Sequence, residues 1–195
     1  GGRSQRPLGS VEGRRRAEGA VSLDMPEREF VSRAQDDLAS VPHAMGINNH
    51  MGSLLTRHPG HMLWLMREMR QQAPLIFVDS RTTVATVARR VAEENNVPST
   101  DRNVFLDNEL DEAQIAFQFR RLLKLAQKQG TAVAIGHPYP QTLAFLERRL
   151  PQLKQLGIRL LPLRELIELQ QESERTWQAS WSPSHKDAKS SKPQL

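Results

Sequence analysis

Short apolar runs alternate with longer amphipathic stretches through the middle of the chain, and this pattern predicts an α/β fold. The apolar runs predict five strands, at residues 44–48, 75–78, 104–106, 131–135 and 158–161. The amphipathic stretches predict helices at residues 24–40, 56–72, 84–94, 111–129, 140–150 and 162–171. Strictly alternating strands and helices imply parallel strands with right-handed crossovers, in an open sheet or in a barrel.

Helical spacing also predicts which side chains face the core. The inward positions include Met62, Leu65, Met66 and Met69 in the second helix, Val84, Val87, Ala88, Val91 and Ala92 in the third, and Leu143, Leu146 and Leu150 in the fifth. We interpret the methionines as core residues rather than as a soft-metal site, because the thioether fills irregular gaps well.

The two ends of the chain have little to bury. Residues 1–20 are rich in Gly, Arg and Ser, and they predict a disordered or non-native segment. Residues 172–195 are rich in Ser, Lys and Gln, and they predict a disordered C-terminal tail. The hydrophobic content of the whole chain is only 38%, and the deficit lies in these two ends. The middle can therefore still bury a core, and the predicted domain spans residues 21–171.

Composition excludes several classes of protein. The chain has no run of 18 apolar residues, so it predicts no transmembrane helix, and residues 1–20 lack the apolar region of a secretory signal. Cysteine is absent, which excludes disulfides, thiolate zinc sites and a cysteine nucleophile. The formal charge of +5 is concentrated in the two ends, where aromatic residues do not interleave the basic ones. We therefore expect no specific nucleic-acid partner, although basic ends can hold anions non-specifically.

Four successive predicted strands end in ionisable side chains. These side chains are His50, Asp79, Asp107 and His137. Because the carboxyl ends of parallel strands share one edge, the pattern predicts a functional rim built from two histidines and two aspartates.

The rim residues allow more than one kind of chemistry. Histidine and aspartate bind divalent metals such as zinc, which activate water. His137, in a Gly-His-Pro context, suits a general acid or an oxyanion stabiliser, or else it is a turn histidine bonded to a neighbouring carbonyl. Asp79 can orient a histidine or hold Arg81, or else it caps a helix. His58 and His61 form a second possible ligand pair.

Three segments of the rim resemble signature blocks of the divergent polysaccharide deacetylase family, within the NodB-like carbohydrate esterase superfamily. They are residues 48–53, 79–83 and 135–138, and the resemblance covers about residues 21–169. It implies a distorted (β/α) barrel, a divalent metal that is usually zinc, and removal of acetyl groups from N-acetylated sugars. It also implies that a carbohydrate is the partner and that full-length members are exported, for example to the periplasm.

The resemblance also assigns roles to residues. His50 matches a histidine that binds the metal, and His137 matches the histidine that assists the leaving amine or the oxyanion. Asp79 and Arg81 match the rim block between them, and we assign these two residues to catalysis together with His137. We assign substrate binding to Asn48, Asn49, Ser53 and Asp107.

The chain departs from the family pattern before His50. It has no strand that ends in an Asp-Asp pair and no later strand that ends in a further histidine. The sequence therefore predicts a truncated, partial (β/α) barrel with weak metal binding and impaired deacetylase activity. The alternatives are a non-catalytic carbohydrate-binding or interaction protein with the same fold, and a binder of anionic surfaces that acts through its basic ends.

Overall fold

The computed structural model describes residues 21–49, 54–72 and 74–181. Within these ranges the chain forms six α-helices and five short strands. The helices are α1 Glu27–Ser40, α2 Pro59–Gln72, α3 Ala88–Glu94, α4 Glu112–Gln129, α5 Pro140–Arg149 and α6 Leu163–Trp181. The strands are β1 Gly46–Asn48, β2 Ile76–Asp79, β3 Ser99–Asp101, β4 Val104–Phe105 and β5 Ala134–Ile135. Short 3-10 helices occupy Leu55–Arg57 and Leu150–Leu156.

The strands form two parallel ladders that one segment of chain connects. β1, β2 and β3 pair in that order, and β4 pairs with β5. Between β3 and β4, the amide of Arg102 donates to the Asp79 carbonyl at 2.9 Å, and the amide of Asn103 donates to the Val133 carbonyl at 2.8 Å. The carboxyl ends of the strands therefore share one edge. The α/β class with parallel strands is confirmed, whereas the described strands do not show closure into a barrel.

Two hydrophobic clusters pack helices against the strands. The first joins α2 and α3 to β2, and it contains the buried methionines that the sequence assigned to the core: Met62, Met66 and Met69. The second joins α4 and α5 to β4, with Phe119 and Phe145 in an edge-to-face contact at 5.4 Å. Each ladder thus has its own core.

The structure corrects the predicted strands at two places. Residues 158–161 form no strand in the described ranges, because the amide of Ile158 bonds back to the Leu153 carbonyl and Leu160 is 66% exposed. β3 was not predicted, since its residues are polar. Ser99 and Thr100 are nevertheless buried, and the Thr100 hydroxyl donates to Gln170 at 2.9 Å.

Two predicted inward positions were wrong. Val84 is 92% exposed because α3 begins only at Ala88. The hydroxyl of Thr86 accepts from the Ala88 amide at 3.2 Å, a local bond that competes with an earlier helix start. Leu143 on α5 is 47% exposed, although its neighbour Thr142 is buried.

α4 and α6 show how well helix ends were predicted. The predicted range 111–129 agrees with α4: the Asp111 side chain caps the helix by accepting from the Gln114 amide, and Gly130 follows the helix with φ +85°. α6 continues through Trp181 instead of ending near Gln171, so residues 172–181, expected in a disordered tail, are helical. An ion pair between Glu174 and Arg89 of α3, at 3.1 Å, joins this helical extension to the rest of the domain. Residues 1–20 and the rest of the predicted C-terminal tail, residues 182–195, lie outside the described residues.

Among the described helices, none has the length and apolar character needed to cross a bilayer.

Candidate functional site

The carboxyl ends of β4 and β5 bring Asp107 and His137 together. The His137 amide donates to Asp107 Oδ2 at 2.5 Å, and His137 Nδ1 lies 2.9 Å from Asp107 Oδ1. The Asp107 side chain is only 1% exposed, whereas that of His137 is 37% exposed. Asp107 therefore lies beneath the imidazole and orients it at the surface of the rim.

Thr142 completes the environment of Asp107. Its buried hydroxyl, in the first turn of α5, donates to Asp107 Oδ2 at 2.9 Å. Burial opposes ionisation of this carboxyl, but the hydrogen bonds from His137 and Thr142 outweigh it and lower the pKa of Asp107. With an ionised acceptor at 2.9 Å, Nδ1 of His137 carries a hydrogen, and in the neutral imidazole Nε2 carries the lone pair.

Gly136 lets the two strand ends approach this closely. A Cβ at this position would lie 3.3 Å from Asp107 Oδ2 and 3.4 Å from Thr142 Cγ2. The distance to Asp107 Oδ2 is tighter than an ordinary Cβ contact, so a side chain at residue 136 would push against the carboxylate.

Tyr139 adds an aromatic surface to the rim. Its ring centroid lies 5.3 Å from that of His137, and the residue is 41% exposed. Neither Tyr139 nor Thr142 was among the site residues predicted from the sequence. A polar or aromatic residue within five positions of a strand-end histidine is the signal that would have found them.

A second polar group forms where β2 ends. The buried side chain of Asp79 accepts from the Arg81 amide at 2.8 Å and from the Thr86 hydroxyl at 2.7 Å. The Thr86 hydroxyl also lies 3.4 Å from the Thr56 carbonyl, which accepts the amide of Val87. Asp79 thus anchors the loop after β2, and it holds Arg81 through the backbone rather than through the guanidinium.

Arg81 has an unusual backbone conformation. Its φ is +47°, in the left-handed region that few non-glycine residues adopt. Arg102 stabilises this turn by donating to the Ser80 carbonyl at 2.5 Å and to the Arg81 carbonyl at 3.0 Å. The Arg81 guanidinium is 44% exposed and lies 3.5 Å from Asp101. The loop therefore presents a cation at the rim.

Asn48 and Asn49 tie β1 to the end of β2. Asn48 donates to the Ser80 hydroxyl at 3.2 Å, and the Ser80 amide donates to the Asn49 side-chain oxygen at 2.7 Å. The Nδ2 atom of Asn49 is buried and has no hydrogen-bond partner among the described residues. These two asparagines therefore hold the end of β1 against Ser80, the residue that follows β2.

Arg102 connects the two halves of the rim. Its guanidinium carbon lies 3.8 Å from the ring centroid of Phe105, on β4, while its nitrogens bond the loop after β2. The Asp79 group and the Asp107–His137 pair therefore lie on one continuous edge, as the strand pattern predicted.

Comparison with known proteins identifies the family. Residues 5–167 match the family described as divergent polysaccharide deacetylase. The chain belongs to the divergent polysaccharide deacetylase family. The match begins within the segment 1–20, which composition had placed outside the predicted domain.

Two curated relatives of this deacetylase family member are themselves uncharacterized. An uncharacterized protein of Haemophilus influenzae is 39% identical over 156 residues, covering 80% of this chain and 52% of the relative. Uncharacterized protein YibQ of Escherichia coli K12 is 38% identical over 125 residues, covering 64% of this chain and 39% of the relative. The chain thus spans about half the length of these relatives, or less.

One solved structure shares the fold of this family member. The crystal structure of uncharacterized protein ATU2773 from Agrobacterium tumefaciens C58 matches with a TM-score of 0.75 and 19% identity. The match covers 83% of this chain and 65% of the other. At that identity the similarity concerns the fold alone.

The described rim does not provide the ligand set that the family resemblance implies. His50 and Ser53 lie outside the described residues. Within the described ranges no group of three His, Asp or Glu residues converges on one point. The side-chain oxygens of Asp79 and Asp107 accept hydrogen bonds from their own neighbours. These residues alone therefore do not fit a three-ligand zinc site.

His58 and His61 form a contact between helices. Their Nδ1 atoms are 2.9 Å apart, and the His61 ring packs against Phe30 of α1 and against Trp64. Burial lowers the pKa of His61, and the neighbouring His58 lowers it further. In the described part of the chain no third ligand joins this pair.

Proposed function

We propose that this protein acts on N-acetylated sugars, and that His137 is the acid–base group for removal of their acetyl groups. The Asp107–His137 pair at the carboxyl edge of the strands carries the proposal, because a buried carboxylate orients an exposed imidazole there. Membership of the divergent polysaccharide deacetylase family supports the class of substrate and the class of reaction.

The proposed reaction is hydrolysis of an acetamide. The oxygen of water bonds to the acetyl carbon, the C–N bond breaks, and the products are acetate and the protonated amino sugar. Nε2 of neutral His137 accepts a proton from the attacking water, and Asp107 stabilises the resulting imidazolium through Nδ1. The imidazolium then donates this proton to the leaving nitrogen, and the released acetic acid gives its own proton to the amine. General acid catalysis of this kind contributes about 10²–10⁴-fold to the rate.

The surrounding residues take supporting roles in this proposal. Asn48 and Ser53 remain our proposed substrate contacts, whereas we now assign Asn49 a positioning role, because its Nδ2 is buried and its side-chain oxygen accepts from the Ser80 amide. Asp107 is too buried to reach a sugar, so we assign it a positioning role instead. Arg81 supplies positive charge where negative charge develops on the acetyl oxygen.

Zinc and its ligand His50 also remain proposals. If zinc binds, it supplies Lewis acidity and an activated water. Since the described residues do not complete a metal site, we expect weak zinc binding and slow turnover by this chain.

Acetate release tests this function directly. The substrate is an N-acetylglucosamine oligomer, and each reaction contains Zn²⁺, Co²⁺ or Mn²⁺. We expect slow release by the wild type, a loss of about 10²-fold or more in His137→Gln, and no change in His43→Asn. His43 is an exposed histidine in the turn before β1. Equal rates for the wild type and His137→Gln would contradict the role of His137.

A carbohydrate-binding protein without turnover is the second candidate. The hydrogen bonds that Asp79 and Asp107 accept from their own neighbours favour it, because they give the two rim carboxylates a structural role. This candidate predicts oligosaccharide binding that chelators do not change and no acetate release with any cation.

A further inference from the structure

α6 crosses the strand layer from its amino edge to the rim. Near the start of the helix, Arg164 donates to the carbonyl of Pro74, which precedes β2, at 2.6 Å. Farther along, Gln170 accepts from Thr100 within β3. Glu174 then pairs with Arg89, which also binds Asp101, the last residue of β3, at 3.3 Å. The helix therefore reaches the carboxyl edge of the strands at about Glu174.

Two tryptophans follow on the next turns of the same helix face. Ile167, Gln170, Glu174, Trp177 and Trp181 are spaced alternately by three and four residues, so they form one stripe. With a rise of about 1.5 Å per residue, Trp181 lies roughly 10 Å beyond Glu174 along the helix axis. The face that packs on the domain thus continues past the edge where His137 and Asp79 lie.

The two indoles form an exposed aromatic surface. Trp177 is 63% exposed and Trp181 is 73% exposed. Their ring centroids are 5.6 Å apart, and the ring planes are inclined by 39°. All residues from 171 to 181 are exposed, so the described part of the chain does not cover this pair. Within the described residues the two indoles form one contiguous exposed apolar patch, and such patches mark binding surfaces.

The size of the surface restricts what binds it. Two indoles provide at most about 250 Å² each. A stable protein interface buries about 800 Å² on each partner, so the pair alone is too small to hold a second copy of the chain. Flat rings of this size match the C–H faces of one or two pyranose rings.

We infer that Trp177 and Trp181 form a stacking platform for a sugar polymer that extends from the rim. The inference rests on the proposed function, because it takes the N-acetylated polysaccharide as the ligand. The rim then binds the reacting sugar, and the platform binds sugar units farther along the same polymer. Long substrates gain affinity from this second contact, whereas single sugars do not.

Calorimetric titration tests the platform. N-acetylglucosamine and its hexamer are titrated into the wild type, Trp177→Ala/Trp181→Ala and Phe117→Ala. We expect the double variant to lose about tenfold or more in affinity for the hexamer, as for loss of an aromatic contact, with no change for the monosaccharide. Phe117 is a matched control because it is 53% exposed on α4, and its variant should bind both ligands as the wild type does. Circular dichroism checks that helix content is retained.

The result that overturns the platform is an unchanged hexamer affinity in the double variant. A dimer in ultracentrifugation that dissociates in this variant, without an effect on sugar binding, also overturns it. Measuring acetate release distinguishes failure of the platform from failure of the proposed function. Loss of hexamer affinity in a protein that never releases acetate leaves the platform standing and rejects the reaction. Acetate release that depends on His137, with no effect of the tryptophans, leaves the reaction standing and rejects the platform.

Discussion

His137 donates to both carboxylate oxygens of Asp107, through its backbone amide and through Nδ1. The amide bond fixes the chain at the end of β5, and the ring bond fixes the orientation of the imidazole. Thr142 adds a third donor. Because Asp107 is buried, these three donors depend on a single acceptor group, and changes at Asp107 should have measurable effects.

Asp107→Asn should reduce the free energy of unfolding. An amide replaces one acceptor oxygen with a donor, so at least one buried donor loses its partner, at a cost of about 1–3 kcal/mol. Urea denaturation measures this loss. Glu109→Gln is the matched control, because Glu109 is exposed two residues away and the charge change is identical. Equal stability of the two variants would contradict the buried network.

Stability should also depend on pH through Asp107. Although burial opposes ionisation, the hydrogen bonds lower the pKa of Asp107 in the folded protein. Its contribution to stability is therefore complete above the unfolded pKa of about 3.9, and it is lost as pH falls through the lower folded value. The difference between wild type and Asp107→Asn, measured by urea denaturation from pH 6 to pH 2.5, should shrink below about pH 4. A constant difference across this range would show that Asp107 does not titrate as described.

His61 should make the protein less stable in weak acid. Burial and His58 lower the pKa of His61, and a backbone contact with Leu23 offsets this only in part. The unfolded chain then binds more protons, so the free energy of unfolding falls as pH drops below about 6.5.

His61→Phe tests this prediction because it keeps an aromatic ring against Phe30 and Trp64. The stability of this variant should depend less on pH between 7 and 5. His43→Asn removes an exposed histidine whose φ is +64°, a conformation that asparagine tolerates, and it should keep the wild-type dependence. Identical pH profiles for the wild type and His61→Phe would rule out the buried histidine as the cause.

Gly46→Ala should destabilise the protein. A Cβ at Gly46 would overlap the carbonyl oxygen of Ile76, the β2 residue with which Gly46 pairs. We expect a loss of about 1–3 kcal/mol from this overpacking. Gly60→Ala in α2 is the control, since its Cβ would meet no atom closer than 3.4 Å and alanine favours helix by about 0.5–1 kcal/mol. If thermal unfolding shows the same shift for both variants, β1 is not packed against β2 as described.

The rim shows what the sequence could predict. Asp79, Asp107 and His137 follow apolar runs, so their common edge follows from the alternation of strands and helices. The bonding between Asp107 and His137 depends on the register of β4 against β5, which the pattern does not contain.

Other features were missed for local reasons. β3 escaped because its buried residues, Ser99 and Thr100, are polar. Val84 fits helical spacing, but hydroxyl groups of the neighbouring threonines bond backbone amides and delay the helix start to Ala88. Polar residues thus determine one strand and one helix start in this fold, and hydrophobic periodicity does not predict either of them.

The tautomer of His137 is the most direct test of the account, because the proposed acid–base chemistry depends on it. Long-range ¹H–¹⁵N NMR spectroscopy distinguishes the two ring nitrogens, and the spectrum of His137→Gln assigns the signals. At a pH where the imidazole is neutral, we predict a hydrogen on Nδ1 and a lone pair on Nε2, with this preference weakened in Asp107→Asn. A neutral His137 with its hydrogen on Nε2 would contradict the account.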